Sequence, residues 1–205
     1  KFLKSKEINY TNNRKINSIH NLTKWKKINI IQNDINLRNI VSNLLLNNIS
    51  NFGAELFYKP KNTGIAVPLH QDNYYWCLKD PMAVTVWIAL EKANKKNGGI
   101  FYFKKSHQLG LLEHEPSFTP GSSQRIKNPR GLESFKKVFP DLRPGDCLIH
   151  HSLIAHGSLT NKSNKSRVGV TVRYKKKNVA KDKFLQKKYE NELKKQIRLR
   201  NSNGI

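Results

Sequence analysis

Short apolar segments separated by turns dominate the middle of the chain and predict a protein built mainly of β-strands. The continuous apolar run 83–90 is typical of a strand buried on both faces. Asn97-Gly98-Gly99 predicts a turn between two strands. The predicted strands are 52–59, a segment around His70, 83–90, 100–103, 147–149, 153–156 and 168–174.

Helical spacing is visible only on either side of these strands. After Asn33, apolar residues recur three and four positions apart, which predicts an amphipathic helix with Asp34 as its N-cap. Residues 1–30 are rich in Lys, Asn and Ile without a clear period, and we expect an irregular or partly helical lead-in. The basic residues 175–205 predict a terminal helix that packs on the sheets or contacts an anionic partner.

Many short strands with one preceding helix predict an all-β core with flanking helices, arranged as a double-sheet jelly roll. A loop marked by Pro60 and Gly64 leads into the strand around His70, and 143–146 predicts a turn closed by Asp146. Residues 109–140 are rich in Gly, Pro and Ser and predict a long loop. With 205 residues, we expect one domain: a lead-in and helix (1–50), a jelly-roll core (51–174) and a basic helix or tail (175–205).

Composition narrows the class of protein. The formal net charge is +24, which suits a nucleic-acid-associated protein, but the lysines are scattered and no interleaved basic and aromatic stripe is present. Nucleic-acid binding is therefore the weaker alternative. Cys77 and Cys147 make no disulfide framework, so we expect a reducing cytoplasm. No apolar run approaches the roughly 20 residues of a membrane helix, so we expect no membrane partner.

The candidate chemistry begins with His70 and Asp72. In an extended segment, residues two apart project from the same face, so these side chains form half of a mononuclear metal site. A second imidazole from elsewhere would complete a 2-His-1-carboxylate facial triad. Taken alone, His-x-Asp is a weak signal, since a polar strand end with a hydrogen-bonded histidine has the same pattern.

Several histidines later in the chain could supply the missing ligand. His150, His151 and His156 follow one another closely, and each of the first two could instead be a hydrogen-bonded core histidine. His107 and His114 lie before and within the predicted long loop, where we expect polar roles rather than metal binding.

A nearby arginine has the properties of a carboxylate anchor. Counting from the residue before the strand 168–174, Arg167, Gly169, Thr171 and Arg173 share one face, opposite an apolar face. An arginine on a small or polar face can reach inward, although a surface position is the alternative.

At this point the sequence resembles the phytanoyl-CoA dioxygenase family of iron(II)- and 2-oxoglutarate-dependent oxygenases, over residues 57–174. The resemblance implies a double-stranded β-helix, which is the cupin-like form of the jelly roll. The motifs that carry it recur in order: Pro68-Leu69-His70-Gln71-Asp72, Val86-Trp87-Ile88-Ala89-Leu90, Asn97-Gly98-Gly99, Lys105-Ser106-His107 with Gly110, Gly145-Asp146, and His156-Gly157-Ser158 with Arg167.

The resemblance implies that His70, Asp72 and His156 bind iron(II), with positions left open for 2-oxoglutarate and O₂. It also implies oxidative decarboxylation of 2-oxoglutarate to succinate and CO₂, coupled to hydroxylation of a small molecule. Related halogenases have a small residue at the position of Asp72, so the carboxylate here favours hydroxylation.

The cosubstrate residues follow in the same way. The resemblance places Arg167, Ser158 and Trp87 around 2-oxoglutarate, although Trp87 is equally well explained as a core aromatic. A guanidinium can bind the C5 carboxylate bidentately and stays charged when buried.

The substrate itself is not identified by the sequence. Gln71, Asn73, Tyr75 and Trp76 flank the first two ligands and are candidates for the substrate side, with only one of the two aromatic residues needed at the cavity. The basic charge could favour an anionic substrate. A cupin-like metal protein without 2-oxoglutarate chemistry is the remaining alternative.

Overall fold

The computed structural model describes residues 8–10, 16–46, 48–62 and 65–202. The predicted loop residue Gly64 and parts of the lead-in lie outside these ranges. The helices of the described residues are α1 (Lys26–Gln32), α2 (Ile35–Leu45), α3 (Asp72–Trp76) and α4 (Lys183–Ser202). The strands are β1 (Ile8–Tyr10), β2 (Ile16–Ile19), β3 (Ile49–Lys59), β4 (Val67–His70), β5 (Ala83–Ala89), β6 (Ile100–Phe103), β7 (His114–Thr119), β8 (Ser122–Ile126), β9 (Lys137–Val138), β10 (Cys147–His151), β11 (His156–Ser158) and β12 (Arg167–Lys176).

The strands form a large sheet, a smaller sheet and a separate hairpin. The large sheet has the order β1-β2-β3-β12-β5-β10, and the smaller one has the order β4-β11-β6-β9. Strands β7 and β8 pair with each other, and every named pairing among the described residues is antiparallel. The predicted jelly roll with flanking helices is confirmed.

The main hydrophobic core lies between the large sheet and helices α1 and α2. Helix α2 confirms the helix predicted after Asn33, and Asp34 is its N-cap, because the carboxylate accepts a hydrogen bond from the Leu37 N–H at 2.8 Å. The Tyr174 hydroxyl donates to the Gln32 carbonyl at 2.9 Å and ties the sheet to α1. The buried members of this core are Leu22, Ile28, Val41, Leu45, Ile49, Ala54, Val84, Val86, Val170, Val172 and Tyr174.

The lead-in is more ordered than the sequence predicts. Helix α1 agrees with its partly helical character, but β1 and β2 are strands, and β2 pairs with β3 at the edge of the large sheet. The sheet core therefore starts before residue 51, and β12 extends it to Lys176. Strands at the end of a sheet need few apolar side chains. The apolar alternation that marks a strand in a sequence is therefore weak among the Lys and Asn residues of this segment.

The predicted loop 109–140 is wrong where the structure has strands. It contains the hairpin β7-β8 and the short strand β9, with a turn at Pro120-Gly121 where Gly121 has φ +74°. The strands of this hairpin are mostly polar, so they lack the apolar alternation that marks a strand in a sequence. Their burial comes instead from packing on β4 and on α4.

The terminal helix is present as predicted and packs on the sheets. Helix α4 contacts α3 and β7, and the Gln196 side-chain amide donates to the Ser123 carbonyl at 2.9 Å. The strand predicted at 153–156 is instead β11, which begins at His156. Among the helices described, none combines the length and the apolar character that crossing a bilayer requires.

Candidate metal centre and its cavity

His70 and Asp72 lie at the point where a strand changes into a helix. Strand β4 ends at His70, Gln71 is extended (φ −122°, ψ 133°), and Asp72 is the first residue of α3. Asp72 is therefore not in a continuous strand, which corrects the sequence interpretation. The extended backbone of Gln71 still puts the two flanking side chains on one side, and His70 Nε2 lies 3.8 Å from Asp72 Oδ1.

His156 joins these two residues through direct strand pairing. It is the first residue of β11, where it is the register partner of His70 on β4. His156 Nε2 lies 3.8 Å from Asp72 Oδ1. One candidate ligand atom from each of the three residues lies within 4.8 Å of the others, as a single metal ion requires.

Backbone carbonyls orient both imidazole rings. His70 Nδ1 lies 2.8 Å from the Pro68 carbonyl, and His156 Nδ1 lies 2.9 Å from the Ile154 carbonyl. A carbonyl can only accept, so each Nδ1 carries a hydrogen and each Nε2 presents a lone pair. Both Nε2 atoms face the Asp72 carboxylate, which is the arrangement found in histidine ligands.

The second carboxylate oxygen of Asp72 is held from the other side. Oδ2 accepts hydrogen bonds from the Thr85 hydroxyl at 2.7 Å and from His150 Nε2 at 3.1 Å. On the other side of the ring, His150 Nδ1 lies 3.2 Å from the Tyr102 hydroxyl. His150 thus supports the carboxylate, and Oδ1 remains directed at the two imidazoles.

The protonation states suit a divalent cation. Burial alone would raise the pKa of Asp72, but the adjacent histidines, led by His156 and His150, hold it well below its usual range. Burial lowers the pKa of both His70 and His156. The site therefore offers an ionised carboxylate and two neutral imidazoles, which are the forms that bind metals.

Other predicted histidines have different positions. His151 Nδ1 accepts from the Leu153 N–H at 3.2 Å, and the exposed His107 ring packs near it. His114 is buried in β7, and its Nε2 accepts from the Gln71 N–H at 3.1 Å. It therefore fixes the backbone between the two candidate ligands, which is a polar role of the kind expected of it.

Two of the predicted substrate residues face away from the cavity. The buried Gln71 side chain donates to the carbonyls of Gly110 and Leu153 and accepts from the Leu112 N–H, at 2.6–2.8 Å. The Asn73 side chain is buried and donates to the Leu78 carbonyl at 3.1 Å. Both have structural roles: Gln71, extended just before α3, points to the face opposite its two neighbours, and Asn73 lies within α3 and bonds to the backbone beyond its end.

The metal-site residues line a cavity of about 490 Å³. Tyr75 and Trp76 both line it, whereas the sequence required only one of them. The Tyr75 hydroxyl is anchored by donating to the Gln124 carbonyl at 3.1 Å. Part of the wall comes from Tyr189 and Leu193 of α4, so the terminal helix closes the cavity on one side.

One region of the wall carries a compensated charge cluster that sequence reasoning missed. Glu55 accepts a hydrogen bond from Arg173 and lies 2.6 Å from His20 Nδ1. Burial raises the pKa of Glu55, but Arg173 and His20 more than offset this, so it stays ionised. The Arg173 guanidinium also lies 5.6 Å from the Trp76 ring centre.

Another region of the wall contains the predicted cosubstrate residues. Arg167, Ser158 and Trp87 all line the cavity and are buried. The Arg167 guanidinium lies 5.4 Å from the Trp87 ring centre, and its Nη2 donates to the Gly98 carbonyl at 3.1 Å. Arg167 Nε is buried without a hydrogen-bond partner in the described part of the chain. Lys59 lies beside them and was not singled out by the sequence.

These donors fit both implied groups. Two neutral imidazoles and a carboxylate with one open oxygen suit iron(II), and the unsatisfied Arg167 Nε suits a carboxylate ligand. A jelly roll whose cavity wall holds these three residues presents a candidate facial-triad metal site.

Comparison with known proteins gives the family. The family model for phytanoyl-CoA dioxygenase (PhyH) matches residues 4–169. This match covers well over half of the chain, so the chain belongs to the phytanoyl-CoA dioxygenase family.

Individual relatives are distant. The chain is 27% identical over 144 residues to a probable phytanoyl-CoA dioxygenase of Caenorhabditis elegans, covering 66% of this chain and 46% of that protein. It is 27% identical over 133 residues to the human peroxisomal phytanoyl-CoA dioxygenase, covering 62% and 39%. It thus spans less than half the length of either relative. The structure of EctD from S. alaskensis with 2-oxoglutarate and 5-hydroxyectoine has the same fold, at 20% identity and TM-score 0.70 over 85% of this chain and 61% of that one.

Proposed function

We propose that this chain is an Fe(II)- and 2-oxoglutarate-dependent dioxygenase that hydroxylates a small molecule. The observation that carries the proposal is the convergence of His70, Asp72 and His156, whose candidate ligand atoms lie within 4.8 Å of one another at the wall of the cavity. Membership of the family supports the same chemistry. Asp72 supplies a third protein ligand, which favours hydroxylation over halogenation.

Each side chain has a defined part in this proposal. His70, Asp72 and His156 would hold iron(II), and Arg167 would bind the C5 carboxylate of 2-oxoglutarate beside Ser158 and Trp87. Iron(II) and 2-oxoglutarate would supply the oxidation by O₂ that yields succinate, CO₂ and a hydroxylated product. The chain's own contribution is to orient the cosubstrate and to exclude water through the buried wall.

The substrate is proposed to contact Tyr75 and Trp76. Both aromatic side chains line the cavity close to the candidate metal site, since the His70 and Tyr75 ring centres are 5.6 Å apart. An anionic substrate group would meet Arg173, whose Nε has no hydrogen-bond partner among the described residues. Glu55 neutralises much of that charge, so a polar neutral group also suits this wall.

An anaerobic titration tests the proposal directly. Iron(II) and then 2-oxoglutarate are added to the protein, and the weak visible charge-transfer band of chelated 2-oxoglutarate is followed. We expect the band to appear in the unchanged protein and to be lost in His156→Ala. No band with intact, iron-loaded protein would overturn the proposal.

A second measurement separates this function from a cupin-like metal protein that does not use 2-oxoglutarate. Arg167→Ala should keep iron binding, because Arg167 is not among the three candidate ligands. It should lose 2-oxoglutarate binding and succinate formation, since the C5 carboxylate would face no guanidinium. If Arg167→Ala left the metal-dependent activity intact and that activity ignored 2-oxoglutarate, the cupin-like alternative would be correct.

A further inference from the structure

The cavity wall holds a second arginine, well away from the one proposed to bind the cosubstrate. Arg167 and Arg173 lie six residues apart on one face of β12, and both line the cavity. That separation is about 20 Å along an antiparallel strand. On the neighbouring strand β5, Arg173 is the register partner of Thr85, whose hydroxyl binds Asp72. Arg173 therefore lies beside the candidate metal site and apart from the proposed cosubstrate residues.

The surroundings of Arg173 fix its side chain. Its guanidinium donates to Glu55 and lies 5.6 Å from the Trp76 ring centre. Gly53 is its register partner on β3, and a Cβ added there would lie 3.2 Å from Arg173 Cδ. The glycine thus makes room for the stem of the arginine. A guanidinium held in this way loses little conformational freedom when a ligand binds to it.

The hydrogen-bonding capacity left in this cluster belongs to the arginine. One Glu55 oxygen accepts from Arg173, and the other lies 2.6 Å from His20 Nδ1. A guanidinium has five N–H groups, and within the described ranges that of Arg173 donates to Glu55 alone. Its side chain is still 19% exposed. A ligand beside it would therefore meet unused donors, which suits a group that accepts hydrogen bonds.

The cavity next to Arg173 is lined by aromatic and apolar side chains. Tyr75 and Trp76 line it from α3, and Tyr189 and Leu193 line it from α4. The Tyr75 and Tyr189 ring centres are 5.8 Å apart. A ligand that binds Arg173 through one polar end could bury a hydrocarbon part against these side chains.

We infer that Arg173 is the residue that recognises the substrate, and that the substrate is a small carboxylic acid; this rests on the proposed function. The planar guanidinium matches the two oxygens of a carboxylate, and Glu55 balances its charge within the wall. The formal net charge of +24 attracts anions to the molecule. The hydrocarbon part of the acid lies against Tyr75 and Trp76, next to the candidate metal site.

Binding of an acid and its matched amide tests the inference. The protein is loaded anaerobically with Mn(II) and saturating 2-oxoglutarate, so that a probe takes neither the metal nor the cosubstrate position. Hexanoate and hexanamide, which differ only in the charged head group, are then titrated by calorimetry.

Two variants and a control separate recognition from folding. Arg173→Met removes the guanidinium. The double variant Glu55→Gln, Arg173→Met removes both charges, so the test still works if an unpaired Glu55 prevents folding. Arg125→Met is the matched control, because Arg125 also pairs with a glutamate, Glu115 at 2.7 Å, but lies outside the cavity with its side chain 57% exposed.

We expect the unchanged protein and Arg125→Met to bind hexanoate about 10- to 100-fold more tightly than hexanamide, the effect of a hydrogen bond between charged groups. Both Arg173 variants should bind the two probes equally, with the affinity for hexanamide unchanged.

Three results would overturn the inference. One is that the unchanged protein shows no binding of hexanoate or no preference for it. Another is that the preference persists without Arg173. The third is that the double variant loses affinity for both probes, because Arg173 and Glu55 would then be a purely structural pair. Failure of 2-oxoglutarate to bind the Mn(II)-loaded protein would overturn the proposed function before any probe was added.

Discussion

His150 Nε2 lies 3.1 Å from Asp72 Oδ2, on the oxygen that does not face the other two histidines. The Thr85 hydroxyl binds the same oxygen at 2.7 Å. Together they fix the carboxylate so that Oδ1, 3.8 Å from both His70 Nε2 and His156 Nε2, is the atom left for a metal. His150, which the sequence allows as an alternative to His156 for the ligand role, therefore holds the carboxylate in place instead.

Removing this support should weaken metal binding without abolishing it. We expect His150→Ala to reduce affinity for Fe(II) or Mn(II) about 10- to 100-fold, as is usual when a hydrogen-bond partner of a ligand is lost. His156→Ala should remove measurable binding, and His107→Ala, at an exposed histidine, should have no effect. Anaerobic calorimetry measures all three. An unchanged affinity in His150→Ala would show that the hydrogen bond is not needed to orient Asp72.

Gly169 makes room for the tryptophan under Arg167. A Cβ added at Gly169 would lie 2.1 Å from Trp87 Cζ2, far closer than atoms can pack, so the ring would have to shift. We expect Gly169→Ala to lower the free energy of unfolding by about 1–3 kcal/mol through overpacking. It should also weaken 2-oxoglutarate binding, because the displaced ring lies next to the guanidinium.

Gly131→Ala is the matched control for this change. The nearest atom to its added Cβ is 3.9 Å away, an ordinary contact, and its φ lies outside the left-handed region. Urea unfolding of both variants gives the comparison. If Gly169→Ala were as stable as Gly131→Ala, the strand pair would be able to shift and the packing argument would be wrong.

The N-cap of α2 offers a test of the fold outside the cavity. Asp34→Ala removes the acceptor for the Leu37 N–H and should lower the free energy of unfolding by about 0.5–2 kcal/mol. Asp34→Asn should retain most of the stability, since asparagine is an equally good cap. Thermal or urea unfolding measures the difference, and equal losses in the two variants would show that the cap bond does not contribute.

The sequence predicts the strands that carry a strong apolar pattern and the residues that carry the family motifs. Strand β5 and the alternation of β12 are visible because their buried faces are apolar, and Arg167, Thr171 and Arg173 line the cavity as the parity of β12 indicates. The hairpin β7-β8 was missed because its side chains are polar. Its burial depends on α4 and β4, which are remote in the sequence.

The missed site residues depend on pairings that one sequence does not reveal. Thr85 is visible in the sequence as a hydroxyl residue within an apolar run, but its hydrogen-bond partner Asp72 belongs to another element. Lys59 reads as the polar end of an ordinary strand. Its position becomes meaningful only when β3 pairs with β12 and brings it against Arg167. In both cases the residue type is visible in the sequence, but its role depends on a tertiary contact that the sequence does not show.

The buried lysine should also make the stability of the metal-free protein depend on pH. The pKa of Lys59 is lowered from 10.5 to about 6 in the folded protein. Between these values the unfolded chain binds a proton that the folded chain does not, so the free energy of unfolding rises with pH. Below about pH 6 both states are protonated, and the contribution of Lys59 no longer changes.

Lys59→Met should remove this contribution. Urea unfolding between about pH 6.5 and 9 should show a slope smaller than that of the unchanged protein by up to about 1.4 kcal/mol per pH unit. The variant should also be more stable at neutral pH, because no buried amine has to stay deprotonated. Lys92→Met, at an exposed lysine, should keep the original slope. A Lys59→Met slope identical to that of Lys92→Met would show that the amine keeps its ordinary pKa in the folded protein, and that the wall around it admits more water than its burial indicates.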